Sequence, residues 1–189
     1  MISRRNVRIK VMQVLYASGK ASTLPKALRY YEQLIEHAFT LYLYNLLVYV
    51  KTTGFSVKDA AIRSARHLPS EVDEQFTPKL FNNPLVHSLS HNLPFIKACK
   101  SRGLYERLNE DTLRLLYTEF AQLEAYESYI LTPEPGEDTH RAILLEMYRF
   151  ISKTEHFEED MEENFANWTD DKSLVLGATK RTIKALPVE

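Results

Sequence analysis

SRRNVRIKVMQVLYA (Ser3–Ala17) contains neither glycine nor proline, and its apolar residues recur at helical spacing. Arg4, Arg8, Val11 and Leu15 follow one another at i, i+4, i+7 and i+11. Arg5, Ile9, Met12 and Tyr16 form a second stripe beside them. The spacing predicts a helix whose apolar stripes face a core, with the arginines at the rim where the helix leaves it. Arg4, Arg5, Arg8 and Lys10 stand in its first turns with no acid among them. Cations at that end oppose the macrodipole, at a cost of roughly 0.3–1 kcal/mol each when exposed. Helix stability does not ask for this arrangement, so a polyanionic partner is the alternative demand.

The rest of the chain reads the same way, and the fold class is all-α, a multi-helix bundle of seven to nine helices. The five glycines are isolated, and no stretch alternates apolar and polar residues long enough for a strand. Helix one spans about Ser3 to Ser18 and stops near Gly19. Pro25 opens a second helix that continues to about Thr52, with Gly54 as its break. SVKD (Ser56–Asp59) matches a capping box opening a short helix through Leu68. PSEVDEQFTPKLFNNP (Pro69–Pro84) has loop composition, and Pro94 is expected to end or kink the adjoining helix. A long periodic segment follows Gly103. TPEPGEDT (Thr132–Thr139) is the clearest punctuation. It divides the chain into residues 1–131, a linker over 132–139, and C-terminal helices over 140–189 that pack on the same bundle. Those helices are expected at about His140–Ser152, Glu155–Asn167 and, after TDD (Thr169–Asp171), to about Leu186.

Bulk composition narrows the class. The chain has 189 residues, 44% of them hydrophobic and 26% charged, enough to bury a core without staples. A single cysteine, Cys99, excludes an internal disulfide and suits a reducing, cytoplasmic setting. The basic start is not followed by the apolar run of a secretory signal. AFTLYLYNLLVYV (Ala38–Val50) is too short to span a bilayer and reads as a buried helix. Charge is segregated: residues 1–105 carry a net +9, residues 106–171 a net −13, and the remainder +3. Such asymmetry fits either a polyanion partner at the basic end or a dipolar soluble protein.

Few residues propose chemistry. There is no phosphate-cradling glycine loop, nucleophile elbow or HExxH motif, so no enzyme, cofactor or metal is expected. His87 and His91 share a helical face but lack a third ligand, and read as ordinary exposed histidines. EHFEEDMEE (Glu155–Glu163) places Glu155, Glu159 and Glu162 on one face, read as solvated acids at a helix start. Tyr30, Tyr31, Tyr42, Tyr44 and Tyr49 read as core aromatics whose hydroxyls reach its edge, with nucleobase stacking as the other use of such residues. Arg4, Arg5, Arg8 and Lys10 are the candidate nucleic-acid contacts. Arginine-rich segments bind RNA through phosphates and stacked bases, whereas the bland alternative is that they lie over the core edge and pair with the acidic half.

The opening stretch resembles the first helix of the transcription antitermination factor NusB family, of pattern RRxARExALQALY. Arg4, Arg5, Arg8, Gln13, Leu15 and Tyr16 match in register. FANWTDDKSLVLGATKRTIKAL (Phe165–Leu186) is similar to a later segment of that family, with Trp168, Asp171 and Lys172 in corresponding places. The two stretches cover about 35 residues. The resemblance is to an elongated form of the family that lacks the usual C-terminal helices. It implies a non-enzymatic, RNA-binding regulator of transcription antitermination and termination. Such a protein binds the boxA element of ribosomal RNA together with the ribosomal protein NusE, and acts indirectly on the RNA polymerase elongation complex. The RNA-contacting role carries over to Arg4, Arg5 and Arg8, with Tyr16 as a supporting aromatic. The alternatives are a helical protein-interaction module of the same fold without RNA affinity, and the front domain of an RNA cytosine methyltransferase.

Overall fold

The computed structural model describes residues 4–18 and 23–188, and the predicted helix limits at Ser3 and Gly19 lie outside them. Eleven α-helices and a 3-10 turn are present among the described residues, with no strand. The all-α bundle is as expected, in more and shorter pieces. No helix among the described residues is long and apolar enough to cross a membrane.

The organising element is α2 (Leu24–Thr53), which Pro25 opens in the first turn. From Leu41 to Val50 its residues are buried on nearly every side, apart from a partly buried Tyr42. A helix without a solvent face must be enclosed by others. Those others are α1 (Arg4–Ser18), α6 (Leu93–Ser101), α7 (Glu110–Phe120) and α11 (Trp168–Lys184), with α3 (Phe55–Ser64) and α5 (Pro84–Ser90) at its C-terminal end. An outer layer of α4 (Glu71–Gln75), α8 (Glu124–Leu131), α9 (Glu137–Ile151) and α10 (Glu155–Asn164) closes the core. That core is continuous from Leu41 to Leu186.

Local chemistry accounts for the boundaries that differ from expectation. Gly54 keeps right-handed helical angles (φ −63°), so α3 follows α2 almost without interruption. Ser56 is therefore not a cap: its hydroxyl donates to the Thr53 carbonyl at 2.8 Å. The capping box forms instead at Ser70–Asp73, inside the stretch read as loop, and opens the short α4. Pro94 begins a helix rather than ending one, because Asn92 caps α6 and a proline in the first turn forfeits no helical bond. Gly103 sits in the left-handed region (φ 61°) and closes α6, with the Leu104 amide donating to the Cys99 carbonyl at 3.1 Å. The long segment after it divides into the 3-10 turn at Tyr105–Arg107, then α7 and α8, separated at Ala121–Leu123. The acids Glu155, Glu159 and Glu162 of α10 are exposed, while Phe157, Asp160 and Met161 face inward.

Tyr44 and Tyr49 are core aromatics, as expected. The Tyr49 hydroxyl donates to the Leu144 carbonyl at 3.0 Å, and Tyr148 donates to Asn45 Oδ1 at 3.0 Å, tying α9 to α2. The Tyr44 hydroxyl lies 2.9 Å from Asp160 Oδ2 and 3.1 Å from the Arg107 carbonyl, yet it has one proton to give. Asn164 Nδ2 donates to the same oxygen at 3.1 Å. A protonated Asp160 completes the chain, donating to Tyr44 while Tyr44 donates to Arg107. Burial pushes the Asp160 carboxyl up to about 6 against the partial relief of the Tyr44 hydrogen bond, and the Glu163 charge adds to the rise. Because the folded value exceeds the unfolded one, this group favours the folded state most below about pH 4. Its contribution is lost as pH rises to about 6. Asp160→Asn, whose amide can donate to Tyr44 without titrating, should remove that loss. In urea melts at pH 4.5 and 7.5, the variant should be less sensitive to the change by roughly 1–3 kcal/mol.

Candidate nucleic-acid interface

Helix α1 lies on α2 near the start of α11. Its packed side is not the apolar stripe that the sequence spacing suggests. Lys10 and Val14 are its buried side chains, flanked by half-buried Asn6 and Gln13. At 100° per residue these four occupy one face. The opposite face therefore looks outward, and it carries both predicted stripes. Arg4, Arg5 and Arg8 are exposed, as are Ile9, Val11, Met12, Leu15 and Tyr16, the last at 92%. The expectation that Ile9, Val11, Met12, Leu15 and Tyr16 face a core is corrected by this placement.

The reason is one ion pair. Lys10 is 2% exposed, and its Nζ lies 2.5 Å from Asp171 Oδ1, itself buried in the first turn of α11. An unpaired ammonium cannot be buried at tolerable cost, so the position of Asp171 fixes which side of α1 turns inward. Lys10 is thereby removed from the surface set: its ammonium is engaged and shielded from any phosphate outside. Arg4, Arg5 and Arg8 have no ion pair with an acidic side chain among the described residues. The acids of the distant half do not neutralise them. Tyr16 stands beyond them on the same outward face, about two to three turns along the helix.

The start of α11 buries Trp168 and Asp171, with Trp168 Nε1 and Asp171 Oδ2 left without a hydrogen-bond partner. Trp168 is fully buried, edge-on to Phe157 with ring centroids 5.9 Å apart. Lys172 lies over the Trp168 ring at 5.8 Å and donates to Glu158 at 2.7 Å, binding α11 to α10. The two stretches that carry the NusB resemblance thus meet through Lys10 and Asp171.

Several neighbours of α1 were not singled out by their sequence. A cleft of about 530 Å³ opens between α1, α2 and the start of α11. Met12, Gln13 and Tyr16 line it from α1, Tyr30 and Leu34 from α2, and Asn167 and Asp170 from the α11 end. Tyr30, grouped by sequence with the core tyrosines, is exposed here. Gln13 and Tyr16 had a signal, through their match to the family pattern, and Tyr30 one through the tyrosine-rich stretch. Asn167 and Asp170 had none, since nothing local to them announces α1 as a neighbour.

The other candidates stay apart from this surface. The His87 and His91 rings stack at 3.8 Å with an interplanar angle of 16°, both exposed. No group of three or more His, Cys, Asp or Glu positioned for a metal occurs among the described residues. Cys99 is buried, and burial pushes its thiol up to about 11, so it is not a ready thiolate. Comparison with protein-family models, with characterised proteins and with solved structures gives no match to this chain.

Breaking the buried pair should cost more than deleting it. Asp171→Ala leaves the Lys10 ammonium buried without a partner and should destabilise by about 3–5 kcal/mol, or release α1 from the bundle. Hydrogen exchange of α1 amides separates these two routes. The double replacement Lys10→Met with Asp171→Leu should recover most of the loss, because no charge remains buried.

Proposed function

We propose that this chain is a non-enzymatic RNA-binding regulator of transcription antitermination and termination of the NusB type. It engages a boxA-like single-stranded RNA together with NusE and acts through them on the RNA polymerase elongation complex. The observation that carries the reading is the outward face of α1. There Arg4, Arg5 and Arg8 are exposed, with no acidic partner among the described residues, and Tyr16 stands beyond them. Guanidinium groups bind phosphate in a forked geometry, and an exposed tyrosine offers a flat surface on which a base can stack. Burial of Lys10 leaves the three arginines as the cationic set.

The protein-interaction reading also has a specific observation behind it. Ile9, Met12 and Leu15 are exposed next to the arginines, and apolar side chains grouped on a surface are a common mark of a protein partner. The two readings differ in salt response. Replacing Arg4, Arg5 and Arg8 together by glutamine should weaken binding of a labelled boxA-like RNA on the order of tenfold or more. The slope of log affinity against log salt should become shallower by about 0.7 for each phosphate that the variant no longer neutralises. Thermal stability should be nearly unchanged, since the three side chains project into solvent. Fluorescence anisotropy at two salt concentrations, with and without NusE, measures the affinity and its salt slope, and a thermal melt measures the stability. Absence of RNA binding by the unaltered chain would support the interaction module instead, and an equal loss of thermal stability in the variant would favour the reading that the arginines lie over the core edge.

A further inference from the structure

The arginines account for recognition of a phosphate chain but not of any base. The cleft beside them has the composition of a base site. Its walls are apolar and aromatic, from Met12, Tyr16, Tyr30 and Leu34, and its polar groups come from Gln13, Asn167 and Asp170. A volume of about 530 Å³ falls within the range of small-molecule sites. Lys10 lies at its base but is neutralised by Asp171, so the cleft offers no free cation to a phosphate.

Its exposed acceptor is the Asp170 carboxylate, which has no ion pair among the described residues. The two oxygens of a carboxylate accept side by side, so the group selects a ligand with adjacent N–H donors. We propose that this cleft is a nucleobase pocket that prefers guanine, stacked against Tyr16 or Tyr30 with its N1–H and N2–H₂ donors toward Asp170. The proposal rests on the RNA-binding reading and adds base selectivity to it.

The other bases fit this acceptor set less well. Uracil presents one N–H between two carbonyls, which a carboxylate repels. Adenine and cytosine each place an amino group beside an unprotonated ring nitrogen, so one donor faces Asp170 where guanine offers two. The arrangement also fits the phosphate contacts. Arg5 and Met12 lie on one stripe of α1 about 10 Å apart along the axis, at 1.5 Å per residue. A single strand can thus reach the arginines while one base enters the cleft.

The test compares two labelled 12-mers, oligouridine and the same strand with one central guanosine, by anisotropy at fixed salt. The guanosine strand should bind about tenfold more tightly than oligouridine. Replacing guanosine by inosine, which lacks the N2 amino group, should remove most of that difference. Asp170→Asn should remove it too while leaving oligouridine affinity and thermal stability unchanged, because Asp170 is exposed. Tyr16→Ala should weaken the guanosine strand further. Equal affinity of the wild-type protein for both strands would overturn the pocket and leave the arginine-based RNA reading standing. A preference for guanosine that survives both inosine and Asp170→Asn would overturn the assignment of Asp170. Failure of both strands to bind would overturn the RNA reading and the pocket together.

Discussion

Everything in this bundle is arranged around a helix with almost no solvent face. Between Leu41 and Val50, α2 is enclosed, so the tyrosine hydroxyls and the Asn45 Oδ1 that it carries into the interior pair with specific neighbours, while Asn45 Nδ2 is buried without a hydrogen-bond partner. Tyr42 meets Thr182 of α11 at 2.7 Å, Tyr44 meets Asp160 of α10, and Asn45 and Tyr49 meet α9. Apolar packing alone would tolerate several arrangements of the surrounding helices, since hydrophobic burial is not directional. The tyrosine hydroxyls are directional, and they fix which helix lies on which side. The Tyr44–Asp160–Arg107 chain shows the cost of this device, because it is fully satisfied only when a carboxyl is protonated.

The same principle holds α1 in place with much less apolar help. Val14 is its one buried hydrophobic side chain among the described residues, and the Lys10–Asp171 pair supplies the direction. A buried ion pair contributes little net stability compared with an apolar pair of similar size, but a wrong rotation of α1 would strand a charge. The pair therefore acts chiefly on specificity. It commits α1 to show solvent a face that apolar packing alone would have pulled inward.

What was legible in the sequence follows from whether the deciding interaction is local. Pro25 marks the start of α2 because it acts on the backbone where it stands. Both SVKD and SEVD fit the same capping pattern. The first fails because a helix is already running through Gly54, and the second works because Pro69 precedes it. The α4 turn is only five residues long, too short for periodicity to register. The orientation of α1 was illegible for a different reason. Val7, Ile9, Val11, Met12, Val14 and Leu15 spread apolar character around most of its circumference, so no unique buried face exists. Asp171, which makes the choice, lies far along the chain. Arg4, Arg5, Arg8 and Tyr16 could be singled out from their own stretch. The cleft residues Asn167 and Asp170 could not, since they become its neighbours only through that same pair.

An outward face that is basic at one end and apolar at the other bears on the kind of partner it suits. Phosphate contacts alone would be served by arginines on an otherwise polar helix, and leaving Met12, Leu15 and Tyr16 in water has a hydrophobic cost that such binding does not offset. Apolar contacts alone would not need three arginines at an end where the macrodipole opposes them. The combination suits a ligand that is charged along its backbone and flat and weakly polar in its side groups. A single-stranded nucleic acid has that character, and on the proposed reading its phosphates would meet the arginines and its unstacked bases the aromatic and aliphatic residues beyond. The proposed ligand would thus use each half of the α1 face through a different part of itself, while the buried side of the helix, through Lys10 and Asp171, sets its orientation.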